Sequence, residues 1–207
     1  MSPVRIIVFA KAPLPGLAKT RLIPALGAEG AARLASAMLH ATLTAALESG
    51  VGPVELCATP AVTDPAWRTT VIPADVECSD QGNGDLGARM QRAAARGIAR
   101  GTPVLLSGTD CAEMSTQLLR DAAHALRQTG SFIHPTADGG YALLGLTRSD
   151  AALFERIAWS TSVVASVTMT RIRELGWPLH VGSVLHDIDE AADLHLWPHP
   201  EFGTAIG

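Results

Sequence analysis

The chain has 207 residues, 47% of them apolar and 17% charged, with a formal net charge of −4. That length and apolar share suit one well-buried domain and exclude a disordered chain. No lysine- or arginine-rich block is present, which excludes a broad nucleic-acid surface, since such a surface needs clustered cations to displace counterions.

Val4 to Phe9 is an apolar run that predicts a first strand. It leads into Phe9 to Leu22, FAKAPLPGLAKTRL, a loop stiffened by Pro13 and Pro15 and carrying Lys11, Lys19 and Arg21. Ligands of open α/β sheets collect at the carboxyl ends of strands, so these local cations suit a small phosphate ligand. Leu34, Met38, Ala41 and Ala45 recur at helical spacing, predicting a helix over Ala31 to Ser49 that Gly50 and Gly52 stop. Val54 to Ala58 reads as a second strand. Prolines 60, 65 and 73 keep Thr59 to Asp75 irregular, with a short strand around Val71 or Val76. Gln81 to Gly84 is a turn before a helix from Asp85 to about Arg100, with Asp85 as its cap.

Val104 to Ser107 is a continuous, mostly apolar run, as a central strand buried on both faces requires. Ser115 or Thr116 caps the next helix. Phe132 to Pro135 and Tyr141 to Leu146 are strands joined through Asp138-Gly139-Gly140. Asp150 to Ile157 and Val163 to Leu175 read as helices, Leu179 to Leu185 as a last strand, and Glu190 to Leu196 as a closing turn. The tail over 196–207 is rich in proline and glycine and is expected to pack loosely. Strands alternating with helices predict a single-domain, three-layer α/β/α sandwich around a mostly parallel sheet.

Cys57, Cys78 and Cys111 form no CxxC pair and are odd in number, so reduced thiols in a cytoplasmic protein are expected. Cys111 lacks the His or Asn neighbours of a nucleophile and reads as a small buried thiol. The start, MSPVRIIVFA, is too short for a signal peptide, and no apolar run nears the roughly 20 residues that span a bilayer. An integral membrane segment is therefore not expected.

Five stretches could carry chemistry. Lys19-Thr20 lacks the glycines of a Walker A loop, yet Lys19 and Arg21 could neutralise a diphosphate from their side chains, Arg21 by a forked contact. Ordinary surface charge explains them equally well. Gly84-Asp85-Leu86-Gly87-Ala88-Arg89 opens a helix, a place that favours anions, though a plain turn and cap would look the same. Asp110 ends the central strand, where a carboxylate can hold Mg²⁺ while substrate phosphates complete its shell. Asp138-Gly139-Gly140-Tyr141 fits a hairpin turn, or a substrate contact through Asp138 and the two glycine N–H groups. Asp187 and Asp189 alternate in extended chain, so both could face Asp110 across a divalent ion, although Asp189 could equally cap the closing turn. The histidines show no zinc-like spacing, and no GxSxG is present.

FAKAPLPGLAKTRL, GDLGARM, LLSGTDC, DGGYALLGL and DIDEAADL occur in that order. Together they resemble a bacterial family of glycosyltransferase-like proteins with the GT-A, nucleotide-diphospho-sugar transferase fold, often labelled only as a domain of unknown function. The resemblance covers about residues 4–196. It departs at Ala112, where that family has proline in a GxDxP pattern. It implies a nucleotide or nucleotide-sugar over the first loop. Lys11, Lys19 and Arg21 would lie toward its phosphates, and Gly84, Asp85, Gly87 and Arg89 along its border. Asp110, with Asp187 or Asp189, would hold Mg²⁺ or Mn²⁺. Asp138 would act on the acceptor side, beside Gly139, Gly140 and Tyr141. The implied activity is a metal-dependent glycosyltransferase acting on a small-molecule acceptor. The alternatives are a nucleotidyltransferase of the same fold that releases pyrophosphate, and a non-catalytic nucleotide-binding protein.

Overall fold

The computed structural model describes residues 2–198. Its strands are β1 (Arg5–Lys11), β2 (Val54–Thr59), β3 (Val76–Asp80), β4 (Val104–Ser107), β5 (Ser131–Pro135), β6 (Tyr141–Leu146) and β7 (His180–Val181). They form one sheet in the order β3-β2-β1-β4-β6-β5-β7. β1 pairs in parallel with β2 and β4, and β2 with β3. β6 runs antiparallel between β4 and β5, and β5 pairs in parallel with β7. All strands but β6 therefore end at the same edge of the sheet, and the site lies there.

Four helices cover the two faces: α1 (Ile23–Ser49), α2 (Leu86–Ala99), α3 (Thr116–Thr129) and α4 (Val164–Glu174). Side chains alternate across a strand. Ile6 and Val8 of β1 thus meet Leu39 and Leu43 of α1 and Leu119 of α3, while Ile7 meets the layer of Met90 and Ala94 of α2 and Ile172 of α4. β1 is buried on both faces, as strands of parallel sheets are. A third cluster joins Leu22 and Leu34 to Ile188, Leu194 and Trp197, fixing the cationic loop to the last turns. Among the described residues no helix is long and apolar enough to cross a membrane.

Asp85 and Ser115 are the caps of α2 and α3, accepting from Ala88 N at 2.8 Å and Leu118 N at 3.3 Å. Several elements differ from the sequence expectations. α1 starts at Ile23 rather than Ala31, because Pro24 suits a first turn and the helix carries on past a kink at Gly27. The short strand is Val76–Asp80. The helix expected over Asp150 to Ile157 shrinks to a 3₁₀ turn at Ala151–Leu153, and Arg156 in the left-handed region (φ 52°) keeps it from growing. The strand expected over Leu179 to Leu185 keeps only His180–Val181 in the sheet. Beyond it Pro135 offers no N–H, the β5 register shifts at His134/Pro135, and the His134 Nδ1–H donates to the Ser183 carbonyl at 2.8 Å. Trp197, expected in a loose tail, is buried in the third cluster. The tail over 199–207 lies outside the described residues.

Candidate active site

Two adjoining cavities open at the carboxyl edge of the sheet. The larger, about 600 Å³, lies over the ends of β1, β2 and β4. The smaller, about 290 Å³, lies between the loop after β1 and Ala35 and Leu39 of α1. They share one wall: Phe9, Ala10, Lys11, Arg21, Asp110 and Asp189.

The acidic end of that wall is built by joining two distant segments. Asp110 follows β4, and its carbonyl accepts from Ile188 N at 2.8 Å. Cys111 and Asp187 form an antiparallel bridge, and the Glu113 carboxylate accepts from His186 N at 2.6 Å. These backbone ties bring Asp187 and Asp189 beside Asp110, as their alternation suggested. Asp138 also faces the larger cavity. Burial, then the charges of Asp110, Asp138 and Asp189, push the Asp187 carboxyl up to about 7, and Lys19 offsets this only in part. Four carboxylates thus crowd one place, and Lys19 is the cation in contact with two of them. Cys111 is a buried thiol pushed up to about 11 by burial, so it stays protonated near neutral pH and is not a ready nucleophile.

Lys19 supplies the positive charge at the centre. Its backbone is left-handed (φ 47°, ψ 46°) and its side chain is only 7% exposed. Nζ lies 2.5 Å from Asp110 Oδ1, 2.6 Å from the Ile188 carbonyl and 3.2 Å from Asp189 Oδ1. The ammonium donates to the Ile188 carbonyl and Asp189 Oδ1 and pairs by charge with Asp110 Oδ1, so three oxygens already engage it. Arg21 is 67% exposed and only grazes Asp189 Oδ2 at 3.7 Å. Lys11 donates to the Leu17 carbonyl at 3.4 Å and is otherwise exposed. Arg21 and Lys11 are therefore the cations open to an anion.

Lys19 also tests whether a divalent ion fits. Its ammonium is a stand-in cation, and the oxygens around it, two carboxylates and a carbonyl, are the hard donors that Mg²⁺ and Mn²⁺ take. Among the described residues no three His, Cys, Asp or Glu side chains stand ready to hold an ion. The donor chemistry fits; the carboxylates are at present spread around a lysine.

The helix-opening stretch contributes differently than its motif suggested. Asp85 is spent as the α2 cap, and Arg89 donates to the Gly84 carbonyl at 2.9 Å and to Gln81 Oε1 at 3.2 Å. Gly84, Asp85, Gly87 and Arg89 do not line either cavity, whereas their neighbours Leu86 and Met90 line the larger one. Gly87 serves the packing instead, since a side chain there would strike the Phe154 carbonyl and Trp159. Its bareness lets the 154–162 segment close over α2 and form a cavity wall.

At the hairpin, Asp138 Oδ1 accepts from Thr136 Oγ1 at 2.5 Å and Gly140 N at 3.0 Å, which fixes the carboxylate at the cavity mouth. The Gly139 carbonyl accepts from Ala165 N at 2.9 Å, holding the start of α4. Gly140 and Tyr141 line the larger cavity while Gly139 lies behind it. Burial raises the Tyr141 hydroxyl far above its ordinary value, and it reaches Met90 Sδ at 3.7 Å as a neutral phenol.

Sequence reasoning did not single out two parts of the cavity. Gln81 is buried, and its Nε2 donates to the carbonyls of Ala10 at 3.1 Å and Cys57 at 3.0 Å, pinning the ends of β1 and β2. Trp159-Ser160-Thr161-Ser162 forms the far wall, with Ser160 left-handed at φ 62°. The only signal of that wall in the sequence is a tryptophan followed by a hydroxyl run between two helical patterns.

The model of a bacterial family described as "Uncharacterized protein conserved in bacteria (DUF2064)" matches residues 42–161. No curated protein matches the sequence. Among solved structures, a "putative nucleotide-diphospho-sugar transferase" from Desulfovibrio desulfuricans G20 is 27% identical with a TM-score of 0.84, over 92% of this chain and 84% of its own. Rv0371c from Mycobacterium tuberculosis H37Rv, in complex with manganese, is 18% identical with a TM-score of 0.59, over 91% of this chain and 92% of its own. A Methanothermobacter nucleotidyl transferase is 16% identical with a TM-score of 0.63, over 98% of each chain. The last two likenesses show the shared fold alone; the first names it as that of nucleotide-diphospho-sugar transferases.

Proposed function

Starting from a chain that belongs to this bacterial family, DUF2064, we propose that the protein is a metal-dependent glycosyltransferase that takes a nucleotide-sugar donor. One observation carries the reading: Asp110, Asp187, Asp189 and the open Arg21 meet on one cavity at the carboxyl ends of β1 and β4. The 27% likeness to the Desulfovibrio protein supports a nucleotide-sugar donor, and the manganese bound by Rv0371c supports a divalent ion.

The donor's diphosphate lies along the shared wall, where Arg21 offers a forked contact and Lys11 a point charge. Asp110 and Asp189, with Asp187 beside them, would hold Mg²⁺ or Mn²⁺, whose Lewis acidity neutralises the departing diphosphate. The acceptor approaches from the Asp138 and Trp159–Ser162 side. Asp138 has one oxygen fixed by Thr136 and Gly140. Its other oxygen takes the proton of the acceptor hydroxyl as the hydroxyl oxygen bonds to the sugar carbon and the sugar–phosphate bond breaks. Arg21 then faces the charge that develops on the leaving group, where a preorganised donor contributes most.

Product analysis tests the reading. Incubation with nucleotide sugars and Mn²⁺ should release nucleoside diphosphate, and Asp110→Asn should slow this by about 100-fold or more while still melting cooperatively. Release of pyrophosphate from nucleoside triphosphates would instead establish the nucleotidyltransferase reading, which the likeness to the Methanothermobacter enzyme supports. Nucleotide binding with neither product would leave a binding protein.

A further inference from the structure

The chain has two lysines against fourteen arginines; Lys11 ends β1 and Lys19 lies in the loop that follows it. Lys11 is exposed, while Lys19 is half-buried, its side chain 7% exposed and its ammonium on Asp110 Oδ1, the Ile188 carbonyl and Asp189 Oδ1. A lysine ammonium is a compact point charge, and here it fills the position on which these oxygens converge. A hard divalent ion needs the same oxygens. Two cations cannot share them, because a separation this small leaves like charges in strong repulsion.

We infer that Lys19 is a resident counter-cation that a divalent ion displaces from Asp110 and Asp189. The exchange replaces one positive charge with two at a place crowded by four carboxylates, so the incoming ion is better matched to the site than the lysine it replaces. The stem of Lys19 lines the smaller cavity next to Lys11 and Arg21. The freed ammonium stays in the smaller cavity and joins those two cations at its wall. Metal arrival thereby completes an anion site. In so far as the transferase reading holds, the donor's diphosphate binds with or after the metal and not before it.

Amine acetylation read by mass spectrometry tests the displacement on the wild-type protein, with Mg²⁺ alone as the probe. Lys11 is the internal reference. Saturating Mg²⁺ should raise the Lys19:Lys11 labelling ratio by about 10-fold or more, the scale of a shift from a mostly held to a mostly freed side chain. An unchanged ratio overturns the inference.

Mn²⁺ binding followed by electron paramagnetic resonance gives the reciprocal test. Removing the competitor in Lys19→Met should tighten Mn²⁺ by about 5-fold or more, as linked sites require. Lys11→Met, which removes an exposed and screened charge, should change it by less than about 2-fold. Equal affinity in wild type and Lys19→Met, equal gains in both variants, or no Mn²⁺ binding at all would each sink the idea. If Lys19→Met does not fold, the labelling ratio decides alone. Neither measurement contains a nucleotide, so an unchanged ratio or equal Mn²⁺ affinities leave the transferase reading to the product-release assay.

Discussion

Gly139 shows how one backbone position supports the cavity. It sits at φ 91°, and a side chain there would drive into the Ser162 backbone. Its carbonyl also holds Ala165 N, so the hairpin, the cavity wall and α4 meet at one residue. Gly139→Ala is expected to cost on the order of 3 kcal/mol, from backbone strain plus displacement of the wall. That corresponds to a drop in Tm of roughly 10 °C for a chain of this size. A calorimetric Tm within about 2 °C of wild type would contradict the account. The Asp-Gly-Gly-Tyr spacing marked a turn in the sequence, because turn chemistry is local. That the turn also anchors α4 was not legible, since Ser162 and Ala165 come to it through the fold.

Individual elements are tied by two networks away from the cavity. Glu55 of β2 is 2% exposed and holds Arg5 of β1 at 3.3 Å, Ser79 of β3 at 2.6 Å, and Arg96 of α2. Arg5 also reaches Glu77 at 2.7 Å, a hydrogen bond that holds the Glu77 carboxyl below its ordinary value. Removing the anion leaves buried guanidinium charge, so Glu55→Ala should cost about 3–5 kcal/mol in denaturant unfolding. The double change with Arg96→Ala should cost clearly less than the sum of the two single changes. Additive losses would mean that Glu55 and Arg96 act independently.

The second network is the β5–β7 junction. Burial and the nearby His180 hold the His134 imidazole below its ordinary value of 6.5, and the Ser183 carbonyl and Glu113 oppose this only in part. His134 therefore stays neutral in the fold at a pH where the unfolded chain takes up a proton. Its stabilisation is full above about 6.5 and declines as pH falls through that value toward the folded pKa. Thermal melts from pH 8 to 5 should show a falling Tm, with a shallower fall in His134→Gln. Parallel curves for the two proteins would remove His134 as a source.

At the scale of the whole molecule, the alternation of strands and helices was legible because periodicity and apolar runs are written residue by residue. Val104–Ser107 and Tyr141–Leu146 lie where their runs placed them. The convergence of Asp110 with Asp187 and Asp189 could be anticipated from the rule that ligands gather at strand ends. The burial of Lys19, the bridging amide of Gln81 and the wall at Trp159 could not. Each depends on partners far away in the chain, 24 positions for Gln81 with Cys57 and 170 for Lys19 with Asp189, and no local pattern encodes such distances. The same geometry predicts a global effect. Mn²⁺ with a nucleoside diphosphate should raise Tm more than the sum of their separate shifts, since binding to the native state adds stability by mass action. Strictly additive shifts would argue against a shared site.

The backbone ties from Asp110 to Ile188 and from Cys111 to Asp187 also bear on how the protein is made. Synthesis runs from the amino end, so the strands and helices up to α4 leave the ribosome before the segment that completes the acidic cluster. A nascent chain can thus organise most of its sheet while Lys19 and Asp110 still lack their last oxygen partners. The set of oxygens around Lys19 is complete only when residues 185–189 emerge and dock.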